Sequence, residues 1–385
     1  MSLDLAHIIQ QVQQFGEATY ERLARRQKQL PALIQDYTLL GQMDPKDLMD
    51  RLARAPEGWS GALPTHDAPT AQFPPPKPPA QIDVLAADGS QVYPDRHSPI
   101  LYYLINIGAI LMPYGSQRPP ETTCQPALYY DPEDIYDAGH LISPAIVNGQ
   151  RDVAELTELA ALAEKPSQRH SLALLDNSLL LRLASGDRAN INKTVHRLIN
   201  QFVDSLTRLQ QSAVNLAGFI DRPGRTDLLN TISLVNSSKS HNAYSGLVDR
   251  DLMTEWLKPT HRTAVFRWGT TDFPELSQAG HALHFFYLHM RRPGVIARVE
   301  IPQWVAENNA RVEQVHAGIL WDSRSTGGYP YSLIRAHELA VITQRERQAL
   351  EQWLLKNLVD HGLTLEPSQK AVTKAWLGRS RRHNV

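Results

Sequence analysis

A chain of 385 residues is long enough for one large domain or for a domain with helical additions, and 39 Lys+Arg against 40 Asp+Glu give a formal net charge of −1. That balance excludes a purely electrostatic nucleic-acid binder, so any contact with nucleic acid has to be local. The single cysteine, Cys124, excludes an intrachain disulfide framework and a cysteine-rich zinc site.

No stretch approaches the roughly 20 apolar residues of a membrane-spanning helix, and Met1-Ser2-Leu3-Asp4 lacks the basic-then-apolar order of a secretory signal. The expected location is the cytoplasm, with no membrane partner. In chain order, Leu5, Ile8, Ile9, Val12, Phe15 and Leu23 fall near helical spacing, which predicts an N-terminal helical arm over residues 1–55. Residues 56–80 turn to Pro, Ala, Thr and Gly, with Pro74-Pro75-Pro76 and Pro78-Pro79, and predict an extended linker. The remainder, 81–385, is expected to form one domain.

That domain opens with β character, Ile82 to Ala87 ending at Asp88-Gly89-Ser90, then the apolar run Ile100 to Leu111. A helix is predicted over Asp152–Glu164 from Val153, Leu156, Leu159, Ala160 and Ala163, followed by a buried strand Ser171–Leu175 that ends at Asp176. Helical spacing returns from Ile191 to Leu216. The segments Gly218–Asp221, Thr231–Val235, Val265–Trp268, Leu283–His289 and Val295–Ile301 read as strands, and the chain from Gln303 reads as helical. Interleaved strands and helices indicate an α/β or α+β fold, a mixed sheet flanked by helices.

Asp88 and Asp176 each follow an apolar strand and precede small polar residues, so both carboxylates are expected at strand ends, with Gly89 permitting a sharp turn and close approach of a ligand. Hard divalent cations take oxygen ligands, and a phosphodiester-cleaving site needs several carboxylates converging on one pocket. Arg151, Glu155 and Glu158 share one helix face, so Glu155 or Glu158 is the candidate third carboxylate; the same spacing equally describes a solvated face with an Arg–Glu pair. Near the C-terminus Gly327-Gly328-Tyr329-Pro330 leads into a predicted helix that carries His337 about two turns on. An imidazole there can bind metal or move a proton, and the Tyr329 hydroxyl can hold a phosphate oxygen. Candidate cationic contacts to DNA are Lys239, Arg291, Arg292 and Arg298, with Lys374, Arg379, Arg381 and Arg382 in the tail. Arg298 and Glu300, two apart on one strand, could instead be a structural ion pair.

In this order, Asp88-Gly89-Ser90, Asp176 after a glutamate-bearing helix, Arg298-Val299-Glu300-Ile301-Pro302, then Gly328-Tyr329-Pro330 through Ala336-His337, the sequence resembles the NurA nuclease family over about Ile82 to Leu350. The resemblance implies a ribonuclease-H-like core that binds manganese or magnesium through Asp88, Asp176 and one of Glu155 or Glu158, with Tyr329 and His337 as the later catalytic pair. It also implies 5′ to 3′ exonuclease and single-strand endonuclease activity on DNA ends, a homodimer, and a hexameric HerA-type translocase as partner in double-strand-break end resection and repair. Asn177 departs from the family pattern, where glycine often follows the second aspartate, as do the proline-rich segment and the longer arm. The competing readings are a non-catalytic adaptor of a translocase and a related nuclease that prefers RNA.

Overall fold

The computed structural model describes residues 8–137, 139–165, 171–181, 183, 193–236, 244–269 and 274–362. Helices are α1 (Ile9–Gln42) and α2 (Pro45–Leu52), then α3 (Pro144–Ala163) and α4 (Lys193–Gln211). After them come α5 (Asp227–Val235), α6 (Asp249–Trp256), α7 (Asn309–Asp322), α8 (Tyr331–Ala340) and α9 (Gln344–Asp360). The strands in the first part of the chain are β1 (Gly61–Pro64), β2 (Gln72–Phe73), β3 (Ile82–Val92), β4 (Tyr103–Tyr114), β5 (Glu121–Tyr129) and β6 (Ser171–Asp176). The later ones are β7 (Asn215–Asp221), β8 (Arg262–Thr263), β9 (Phe266–Gly269), β10 (Leu283–His289) and β11 (Ile296–Pro302). They fold into two compact units, both α/β: one of residues 1–79 with 216–330, the other of 80–215 with 331–385.

In the unit 80–215 with 331–385, β3, β4 and β5 form an antiparallel meander, and β6 lies parallel to β3 on its other side. This is the mixed sheet expected of the core. β6 up to Leu175 and the first half of β3, Ile82–Ala87, are buried, as strands covered on both faces are, while Asp88 to Gln91 are half-buried. Helix α3 packs on β3 and β4, α4 packs on α3, and α8 lies across β3 and β4. α3 begins eight residues before its expected start, because Ser143 accepts from the Ile146 amide (3.3 Å) and Pro144 occupies the first turn, a strong start signal.

The other unit carries an antiparallel sheet in which β1 pairs β9, β9 pairs β10, β10 pairs β11 and β11 pairs β7. Within the proline-rich stretch, Gly61–Pro64 is thus a sheet strand rather than a bare connector, and β2 pairs β8. Only the second half of α1 is anchored: Leu33, Tyr37 and Leu40 are buried, with the Tyr37 hydroxyl donating to the Pro69 carbonyl (2.6 Å), while Val12, Phe15, Tyr20 and Leu23 are exposed. Thr231–Val235, expected as a strand, is part of helix α5. Its buried set Leu228, Leu229, Ile232 and Val235 has helical spacing, and Asp249 accepts from the amides of Leu228 and Leu229 (2.9 and 3.0 Å), satisfying the first turn. The β-branched residues at its end had favoured a strand. No helix among the described residues is long and apolar enough to cross a membrane.

Candidate functional site

β3 runs on past the expected turn: Asp88, Gly89 and Ser90 are mid-strand and pair with Gly108, Ile107 and Asn106 of β4. Gly89 is therefore not a turn residue. A Cβ there would lie 2.6 Å from Arg151 Cγ and 2.7 Å from Glu155 Oε1, so the glycine admits the two α3 side chains that cross the strand. On the other side of β3, Ala87 pairs in parallel with Leu175, and each of the two is followed by an aspartate. Adjacent strands run ~4.8 Å apart, so Asp88 and Asp176 bring two carboxylates to one level of the sheet.

His337 reaches this point because α8 sits directly on strand backbone. At Gly108, the partner of Asp88, an added Cβ would meet Ala340 N at 2.5 Å and Ala336 O at 2.6 Å. The end of α8 is then held by the paired residues Ser90 and Asn106. The Ser90 hydroxyl donates to the Ala340 carbonyl, and Asn106 Nδ2 donates to the carbonyls of Ala340 (2.9 Å) and Leu339 (3.2 Å). Last-turn carbonyls that have no partner inside the helix are satisfied from the sheet. One turn back, His337 Nδ1 lies 2.7 Å from Asp88 Oδ2, while Asp88 Oδ1 accepts from the Gly89 amide (2.8 Å). The Asp88 carboxylate is mostly covered and the His337 ring is open to solvent.

Glu155 is buried, and its carboxyl pKa is raised well above the usual range, first by burial, then by the charge of Asp152 and by Asp88 and Asp176, with Arg151 opposing. Its charge is thus felt by both strand aspartates. Glu158 points its carboxylate elsewhere, accepting from Thr123 Oγ1 and Gln125 Nε2 of β5 (both 2.9 Å) beside a cleft of about 510 Å³ between β4–β5 and α3–α4. Of the two glutamates, Glu155 is the one that shares the field of the aspartates.

Among the described residues, the carboxylates of Asp88, Asp152 and Asp176 act on Glu155, and the guanidinium of Arg151 opposes them. A cluster of carboxylates suits a hard divalent cation, and the all-oxygen donor set with one imidazole matches magnesium or manganese. Among the described residues no three of these side chains already surround one point, so the fit lies in the donor chemistry and the charge.

Asn177, which follows the second aspartate, has φ +105°, a conformation that favours glycine and that asparagine tolerates better than most residues. Tyr329 belongs to the other compact unit, where its half-buried ring packs edge-on against Phe219 (5.4 Å) and its carbonyl accepts from Thr326. Arg291 and Arg292 are exposed on the turn between β10 and β11. Arg298, expected as a DNA contact, is fully buried: it pairs with Asp227 (2.7 Å) and Glu300 (2.9 Å), and its guanidinium stacks 3.5 Å over Phe285. No phosphate can reach it, and the structural ion pair is the correct reading. Lys239, and the tail cations Lys374, Arg379, Arg381 and Arg382, lie outside the described residues.

Ser90, Asn106 and Gly108 were not singled out from the sequence, although a glycine and an asparagine inside the apolar run Leu104 to Met112 are a signal of close backbone approach and of a buried hydrogen bond.

Several solved structures share a slight likeness with the chain. The NurA nuclease from Sulfolobus solfataricus aligns with a TM-score of 0.44 at 13% identity, over 89% of this chain and 98% of that one. A NurA bound to dAMP and manganese gives 0.38 at 12% identity over 77% and 92%, and the catalytic domain of human Endonuclease V gives 0.32 at 14% over 71% and 83%. No curated protein matches the sequence. The family profile decides the matter: the NurA domain matches residues 82–342, well over half of the sequence and the span that holds Asp88, Glu155, Asp176 and His337, and the chain belongs to the NurA domain family.

Proposed function

We propose that this protein is a divalent-metal-dependent nuclease that hydrolyses DNA phosphodiester bonds. The observation that carries the reading is the pair Asp88 and Asp176 at one level of adjacent strands, with the buried Glu155 in their field and His337 hydrogen-bonded to Asp88. Asp88, Asp176 and Glu155 would hold manganese or magnesium, with His337 at the rim. When bound, such ions activate water and neutralise charge that develops on the phosphate. The chain's own residues do the rest. Asp88 fixes the ring of His337, so that the imidazole can move a proton at the scissile phosphate. Tyr329 and the exposed Arg291 and Arg292 are proposed to hold the nucleic acid, through a hydroxyl and through charge respectively.

The finer reading rests on family membership: 5′ to 3′ exonuclease and single-strand endonuclease activity, exercised as a homodimer with a hexameric HerA-type translocase in resection of DNA ends. The test is cleavage of end-labelled single- and double-stranded DNA by wild type and Asp88→Ala, with manganese, with magnesium and with a chelator. Metal-dependent cleavage by wild type, lost in the variant, is expected. Cleavage that survives in Asp88→Ala or in the chelator would overturn the reading, and matched RNA substrates in the same assay would expose a preference for RNA.

A further inference from the structure

Arg151 is a cation that the fold itself places among the carboxylates of this centre. Its position is built in: α3 carries it over Gly89, where any Cβ would strike its Cγ at 2.6 Å. Its Nη2 donates to Asp152 Oδ1 (2.7 Å) and its Nη1 to Gln91 Oε1 (3.1 Å). The contact with Glu155 is of a different kind. Nε lies 3.1 Å from Glu155 Oε1, yet Nε is buried without an aligned hydrogen-bond acceptor. Charge, and not a directed bond, joins these two groups. A divalent cation bound at Glu155 would take over the charge compensation that Arg151 supplies, so the pair would be exchanged and not left broken.

We propose that Arg151 is an internal counter-cation of the carboxylate centre, which neutralises Glu155 while metal is absent, competes with the divalent ion for it, and once displaced pairs with a phosphate of the substrate. The proposal rests on the reading of this centre as a metal site. Three features support it. The guanidinium is anchored at its far end by Asp152 and Gln91, so it can leave Glu155 without leaving the site. Its side chain is only half-buried, so a phosphate can approach the remaining N–H groups of the guanidinium where it stands. Its planar fork matches two phosphate oxygens, a geometry that lysine cannot reproduce.

The test is titration of metal-free protein with manganese alone by calorimetry, for wild type, Arg151→Met and Arg151→Lys, followed by steady-state cleavage of single-stranded DNA. Arg151→Met keeps the aliphatic stem that packs on Gly89 and removes only the charge. Expected is manganese binding tighter by on the order of tenfold in Arg151→Met, the worth of one partly buried ion pair. KM for DNA should rise in the same variant more than kcat falls. Arg151→Lys, which keeps the charge but not the fork, should bind manganese as wild type does yet retain the raised KM.

Equal or weaker manganese binding by Arg151→Met overturns the proposal, and so does a loss of melting temperature with no change in metal affinity, the signature of a merely structural pair. Should Arg151→Met not fold, Arg151→Lys decides alone, since an unchanged KM in that variant contradicts the phosphate contact. A wild type that binds no manganese would instead remove the metal-site reading beneath.

Discussion

His337 Nδ1 and Asp88 Oδ2 stand 2.7 Å apart although 249 residues separate them in the chain, joining a helix near one end of the sequence to the first strand of the core sheet. A carboxylate that holds an imidazole in place fixes both its tautomer and its direction. His337→Ala is therefore expected to lower kcat by about 10²–10⁴, the usual span for a proton-transfer group. His337→Gln, which can keep a hydrogen bond to Asp88 but cannot shuttle a proton, should fare no better. A His337→Gln variant with near-native kcat would show that the ring serves only to position Asp88.

Glu155 and Glu158 are three residues apart on one helix, and the sequence alone treats them alike. Burial and the field of Asp88 and Asp176 distinguish Glu155, while Glu158 is engaged by Thr123 and Gln125. Glu155→Gln, nearly isosteric, is expected to abolish metal-dependent cleavage and to weaken manganese binding. Glu158→Gln should leave both close to wild type. The reverse ranking in a calorimetric titration would move the metal to the cleft beside β5.

Gly108 sets the distance between α8 and the sheet. With Ala340 N and Ala336 O where a methyl group would go, the helix has to shift, because backbone does not rotate aside as a side-chain tip does. Gly108→Ala should destabilise by about 1–3 kcal/mol, the ordinary cost of overpacking. It should also reduce cleavage further than the stability loss explains, since the shift draws His337 away from Asp88. A variant that melts earlier but cleaves normally at low temperature would separate the two effects and disprove the second.

Why some of this was legible in the sequence and some was not follows from the reach of each signal. Strands such as Leu283–His289 are read correctly because their apolar runs are local, and Asp176 is placed because β6 ends where its apolar run ends. Asp88 is expected at a strand end, and it lies mid-strand. Asp-Gly-Ser looks like turn chemistry, but β3 continues to Val92 because β4 pairs it throughout and Gly89 is needed for α3. The choice of Glu155 over Glu158, and the clamp of Ser90 and Asn106 on α8, depend on contacts between segments over 230 residues apart or on burial, which no window of sequence contains. Arg298 shows the converse. Its spacing from Glu300 allowed either a DNA contact or an ion pair, and only its complete burial decides.

Asp249 gives the fold a pH dependence whose sign can be worked out. It is fully buried, accepts from the Leu228 and Leu229 amides and from the Tyr287 hydroxyl (2.7 Å), and faces the charge of Asp227. Burial first, and Asp227 second, push its carboxyl from 3.8 up to about 7, against the lowering by its hydrogen-bond donors. The folded state then holds a proton that the unfolded chain has released, so stability falls as pH rises from near 4 to near 7 and is level beyond. At one pKa unit per ~1.4 kcal/mol, the part of that loss lying between pH 5.5 and pH 8 is about 2 kcal/mol. Asp249→Asn cannot titrate, and every other group is common to both proteins. The stability of wild type relative to Asp249→Asn, from urea melts, should therefore be greater at pH 5.5 than at pH 8 by about that amount. A difference that is the same at both pH values, or larger at pH 8, would mean that Asp249 is ionised throughout and that its hydrogen bonds to Leu228, Leu229 and Tyr287 outweigh its burial.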